Sequence, residues 1–146
     1  MAMAPPPDSG PPFTALGRTV VLVADAEAAL AYYQDVLGFV VLHDQTADGY
    51  RYLHIGLPGR TGPPGRPAAG LWLMPATTAR ERELIGRQCG GQPLLVLYTD
   101  DVDRTGTHLR AHGVPVWNER VGDAGRSLHF ADLYGNVIVA AQLPGS

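Results

Sequence analysis

The chain carries one twenty-residue pattern twice. "LVADAEAALAYYQDVLGFVV" (22–41) and "LYTDDVDRTGTHLRAHGVPV" (97–116) align without a gap, so that Leu22 falls on Leu97, Asp25 on Asp100, Gly38 on Gly113 and Val41 on Val116. Neither half is large enough to bury a sheet alone, so two like modules must share their apolar surface. The physics of the two copies agrees. In each, an apolar β run, "TVVLV" or "LLVLY", stops close to an aspartate. Asp25 in the first copy, and Asp100 or Asp101 in the second, can accept hydrogen bonds from the free N–H groups of a helix start. Ala29, Tyr32, Tyr33, Val36 and Leu37 recur three and four apart, which makes a core-facing helical stripe. Gly38 and Gly113 stand where a left-handed residue closes the last turn. A strand follows each, "FVVLHDQ" and "VPVWNER".

Two further strands complete each copy. In the first, "YRYLHIGL" (50–57) and "GLWLMPA" (70–76) flank the Gly/Pro-rich loop "PGRTGPPGRPAAG". In the second, "GRSLHFAD" (125–132) and "VIVAAQL" (137–143) flank a turn built on "DLYGN". Each half therefore reads βαβββ. The predicted fold is α+β, with two such modules in tandem forming a curved mixed sheet around a cleft. Residues 16–76 make the first module and 94–143 the second. Between them, 77–93 form a linker in which "TTARERELIGRQ" is expected to add a short polar helix. A Pro-rich stretch, 1–15, is expected to be an extended or disordered arm. It shows no charged segment leading into an apolar one, so it does not read as a signal peptide.

Composition narrows the partners. The 146 residues are 45% apolar and carry a net charge of −3, with the arginines scattered. That gives no basic patch for nucleic acid or for a membrane surface. No run approaches the ~20 apolar residues of a membrane span. Cys89 is the single cysteine, which rules out an intramolecular disulfide and argues against a cysteine-based zinc site. The expected location is cytoplasmic.

Three stretches carry a family resemblance covering roughly 16–143. "VADAEAALAYYQDVLGF" (23–39) and "TDDVDRTGTHLRAHGV" (99–114) resemble the paired strand-helix units of the vicinal oxygen chelate superfamily, and "FADLYGNVI" (130–138) resembles its F-x-D-P-x-G-N turn. The group holds glyoxalases, extradiol dioxygenases, fosfomycin-modifying enzymes and bleomycin-resistance proteins. The resemblance implies the fold and leaves the reaction open. In metal-dependent members the ligands come from the first and last strands of each half. Counted along this chain, those positions hold Arg18, Trp72, Leu94 (or Pro93, one residue away) and Val139. None of the four offers a lone pair suited to a divalent metal. No metal and no cofactor is expected. The remaining candidates for a relocated site are His54 and His129, on the third strand of each half, with Asp44 or Asp132. His108 and His112, four apart, read as an exposed helix face.

Strand alternation suggests what lines the cleft. Arg18 on the first strand, Tyr52 and His54 on the third, Trp72 on the fourth, and Trp117 and His129 in the second half form the candidate ligand-binding set. Arg18 and Trp72 are expected to face one common cavity. Flat aromatic walls with one cation suit a small apolar or aromatic molecule, with Arg18 placed to meet a carboxylate or phenolate. No catalytic residue is identified. The reading is a metal-free binding protein for a drug or metabolite, similar to the drug-binding resistance members. The alternative is a lyase or dioxygenase with a relocated metal or a histidine-based mechanism, and a blander one is a structural subunit with a vestigial cleft. The resemblance also implies a homodimer.

Overall fold

The computed structural model describes residues 10–58 and 69–145. Most of the Pro-rich arm and the Gly/Pro-rich loop of the first module lie outside them. The elements follow in the order β1 (Arg18–Val23), α1 (Ala26–Asp35), β2 (Val40–Ala47), β3 (Tyr50–Gly56), β4 (Gly70–Pro75), α2 (Ala79–Leu84), β5 (Pro93–Tyr98), α3 (Val102–Ala111), β6 (Val116–Gly122), β7 (Gly125–Ala131) and β8 (Val137–Gln142). The fold is α+β, two βαβββ units in tandem. The strands divide into two four-stranded mixed sheets, ordered β1-β4-β3-β2 and β5-β8-β7-β6. In each, the first strand runs parallel to the last and the remaining pairs are antiparallel.

Local chemistry sets the helix ends. Asp25 caps α1 by accepting from the Glu27 and Ala28 amides. Asp101, rather than Asp100, caps α3 by accepting from the Arg104 amide. Gly38 and Gly113 take φ of +79° and +73°. There the Phe39 amide donates back to Tyr33 and the Val114 amide to Leu109, closing each helix. The expected polar helix is α2. Its Thr78 hydroxyl accepts from the Glu81 amide at 3.1 Å, while the Glu81 carboxylate accepts from the Thr78 hydroxyl at 3.0 Å and from the Thr77 amide at 3.1 Å.

Each sheet turns one face to a helix and leaves the other for something else. Val21, Val23, Leu53, Ile55, Leu71 and Leu73 pack with Ala29, Tyr33 and Phe39 into the first core. Leu128, Phe130, Ile138 and Ala140 pack with Val102, Leu109 and Val114 into the second. The cores meet, because Leu95 and Leu97 of β5 and Tyr32 and Leu37 of the first module pack where they join. The docking is also polar. The Tyr33 hydroxyl donates to the buried Asp132 carboxylate at 2.7 Å, and the Tyr32 hydroxyl donates to the Ala131 carbonyl at 3.0 Å. The modules thus join through their helix-bearing sides, and the opposite faces of both sheets stay open.

Candidate functional site

The open face of the first sheet is aromatic and polar where a core would be aliphatic. On β3, Leu53 and Ile55 point to the helix, so Tyr52 and His54 point the other way. On β4, Leu71 and Leu73 are buried and Trp72 shares the open face. Strand pairing sets His54 directly opposite Trp72. Their ring centroids lie 5.6 Å apart, and the Tyr52 ring lies 5.7 Å from Trp72 on its far side. On β2, His43 pairs with His54, ring to ring at 5.2 Å. Arg18 reaches this row from β1, its Nε donating to His54 Nδ1 at 3.2 Å. Arg18, Tyr52, His54 and Trp72 form one group.

Two nitrogens of that group stand out. Trp72 Nε1 and His54 Nε2 are both buried, and neither has a hydrogen-bond partner among the described residues. Each such donor costs about 1–3 kcal/mol of unrecovered desolvation. Burial first, then the Arg18 charge and His43, hold the His54 pKa below its ordinary value, so the ring is neutral near pH 7.

Trp117 and His129 form a second group. They are paired on β6 and β7, with ring centroids 6.0 Å apart, on the open face of the second sheet. No ring contact among the described residues joins the two groups. The second face is also more exposed. Val96 is 56% and Tyr98 69% accessible on β5, and Trp117 is 41% accessible. The residues expected in a single cleft fall, within one chain, into two groups on two sheets.

Arg18 and Trp72 do share a face, but they do not line the seam cavity. This cavity, of about 550 Å³, lies at the seam between modules, floored by Val36, Leu37, Leu97, Leu109 and Phe130. Asp35, Asp100, Asp101 and Arg104 edge it. It lies between the C-terminal end of α1 and α3, joined by the His108–Val36 contact, a relation that alternation within a strand does not encode.

The donor set does not fit a divalent metal. Trp72 lies opposite His54 and beside Val20, and Val139 lies opposite His129 and beside Val96. The register thus makes Trp72 and Val139 equivalent, and likewise Arg18 and Leu94 two residues earlier on β1 and β5. These are the positions at which the family resemblance places ligands, and none of the four side chains offers a lone pair suited to a divalent metal. Neither aspartate considered for a relocated site is available. Asp44 accepts from Arg51 at 2.8 and 2.9 Å, and Asp132 is spent on its own turn and Tyr33. No cluster of three or more His, Cys, Asp or Glu gathers among the described residues. His108 Nε2 donates to the Val36 carbonyl at 2.6 Å, tying the exposed helix face to α1.

One contributor was not legible in the sequence. Gln88, in the linker, accepts from the Leu22 amide at 2.7 Å and donates to the Val20 carbonyl at 3.0 Å. Its amide takes the place of a neighbouring strand along the free edge of β1. It thereby steadies the strand that carries Arg18.

Fold and strand positions together define a two-module protein of the glyoxalase type. The family model for the Glyoxalase/Bleomycin resistance protein/Dioxygenase superfamily matches residues 15–140, and the chain belongs to that superfamily. It is 30% identical over 126 residues to an uncharacterized protein of Shewanella frigidimarina (strain NCIMB 400), covering 84% of this chain and 89% of that one. Among solved structures it is similar to TnmS3, an antibiotic binding protein from Streptomyces sp. CB03234. That match has a TM-score of 0.71 and 28% identity, and covers 90% of this chain and 98% of TnmS3. It is also similar to a glyoxalase/bleomycin resistance protein from Streptomyces sp. CB03234, at a TM-score of 0.64 and 29% identity, covering 88% of this chain and 100% of that one.

Proposed function

We propose that the chain is a metal-free small-molecule-binding protein that sequesters an apolar, aromatic drug or metabolite on the open face of its first sheet. The observation that carries this is the row Tyr52, Trp72, His54 and Arg18, of which Arg18 and Trp72 stand where the family resemblance places metal ligands. An aromatic platform with a few convergent polar groups is the ordinary make-up of a small-molecule site. The antibiotic-binding function of TnmS3, a structure of the same fold, supports the ligand class.

The site is completed by a second copy of the chain. Val96, Tyr98 and Trp117 leave an apolar surface on the second open face that a partner would cover. Pairing the first face of one copy with the second face of another encloses the aromatic row from both sides. We place the protein in the cytoplasm, where a lone exposed thiol such as Cys89 stays reduced.

Titration with a panel of aromatic antibiotics and metabolites tests the reading by indole fluorescence and calorimetry. Binding is expected to quench or shift the emission, and Tyr52→Ala to weaken it. Arg18→Ala should weaken anionic ligands more than neutral ones. No calorimetric response across the panel would overturn the proposal in favour of a structural subunit.

A further inference from the structure

We infer that the molecule bound on this face is a hydrogen-bond acceptor: a planar aromatic whose carbonyl or anionic oxygen sits between Nε2 of His54 and Nε1 of Trp72. The inference rests on the open face being the ligand site, and it states which chemistry that face selects.

The argument begins with a tautomer. A neutral imidazole carries one proton on either ring nitrogen, and its neighbours decide which. Arg18 Nε donates to His54 Nδ1 at 3.2 Å. A guanidinium does not give up its proton in a protein, so Nδ1 is the acceptor of this bond. The imidazole proton therefore lies on Nε2. That nitrogen is buried and unpartnered among the described residues, and its N–H is an unspent donor.

Trp72 supplies the second donor. Indole nitrogen can only donate. Its N–H is likewise buried without a partner among the described residues. The two residues are directly paired across β3 and β4, with rings 5.6 Å apart. Two paired residues of this face thus each hold a buried N–H without a partner among the described residues. A ligand with an oxygen there recovers both lost hydrogen bonds. A hydrocarbon leaves both unmade, and an ammonium or N–H group opposes them. Specificity of this origin is strong, because buried groups left unpaired penalise the wrong ligand. Tyr52, 37% exposed and next to Trp72, extends the flat surface and sets the planarity.

The second module does not repeat the device. The position equivalent to Trp72 is Val139, and that equivalent to Arg18 is Leu94. One module presents the donors and the other an apolar surface, so the preferred molecule has one oxygen-bearing edge.

Fluorenone and fluorene test this, being flat tricyclic probes that differ by a carbonyl in place of a methylene. Calorimetry on the purified full chain is expected to show fluorenone binding tighter by roughly tenfold, the order of one desolvated hydrogen bond. In ¹⁵N-labelled protein, fluorenone but not fluorene should move the Trp72 indole N–H proton downfield. Trp72→Phe and His54→Phe keep an aromatic ring and remove a donor. Each should shrink the ratio of fluorenone to fluorene affinity toward one, with circular dichroism confirming the fold. Equal binding of both probes to the native chain would overturn the acceptor inference and leave the aromatic-binding function standing. Failure of both probes to bind would overturn the two together.

Discussion

At the scale of single residues, the turn motif and the site divide the work. Asp132, 6% exposed, accepts from the Tyr134 and Asn136 amides on one oxygen, at 2.9 and 3.0 Å. On the other it accepts from the Asn136 side chain and the Tyr33 hydroxyl. The motif "DLYGN" therefore builds a turn and pins the first helix to it, while the position three residues after its Asn, Val139, contributes apolar surface. Tyr33→Phe should destabilise the protein by about 1–3 kcal/mol, read from urea unfolding, because a buried carboxylate loses one partner. It should also change the alkaline limb. Burial first, and then Asp132, push the Tyr32 hydroxyl up to about 12 and the Tyr33 hydroxyl higher still. A raised pKa gives stability that is complete below the unfolded tyrosine value near 10 and is lost as pH rises through the folded value. Stability should fall above about pH 10 in the native chain and fall less steeply in Tyr33→Phe. The motif's turn chemistry was legible from its Asp, Gly and Asn. Its link to Tyr33, 99 residues away in the chain, was not.

At the scale of elements, capping and strand edges account for the boundaries. The sequence left Asp100 and Asp101 as alternatives because both follow the apolar run and both suit a cap. The structure separates them, since Asp101 takes the extended conformation before the helix and accepts from the Arg104 amide at 3.1 Å. Asp101→Ala should cost about 0.5–2 kcal/mol in unfolding experiments. Asp100→Ala should stay within about 0.5 kcal/mol of the native chain, as surface substitutions do. An equal loss in both would mean that the cap is shared. The helix α2 buries no residue. After it Gln88 bonds the edge of β1, in contacts between residues 66 and 68 positions apart. Strand positions in both modules agree closely with alternation and turn signals. Bulges between Val41 and His43 and between Trp117 and Arg120 were not foreseen, because they depend on how the edge strands meet their partners.

At the scale of the molecule, the arrangement of modules governs what the chain can bind. Helix-bearing sides dock together, so two open faces point away from the shared core. On the proposed function, those faces meet in a homodimer. Sedimentation velocity should show a dimer for the native chain and a shift toward monomer for Val96→Asp, which sets a charge in the exposed apolar patch. A monomeric native chain would leave the first face to bind its ligand alone. The sequence by itself determined the repeat, the βαβββ order, the caps and the residue types at the family's ligand positions. All of these follow from short-range periodicity and from chemistry within a few residues. Tertiary structure alone decided that Trp72 meets His54 while Trp117 meets His129 on another sheet, that Arg18 sets the histidine tautomer, and that the cavity falls at the module seam. Each depends on strand register or on the docking of separate modules, which bring together residues far apart in the chain, and no local pattern encodes that distance.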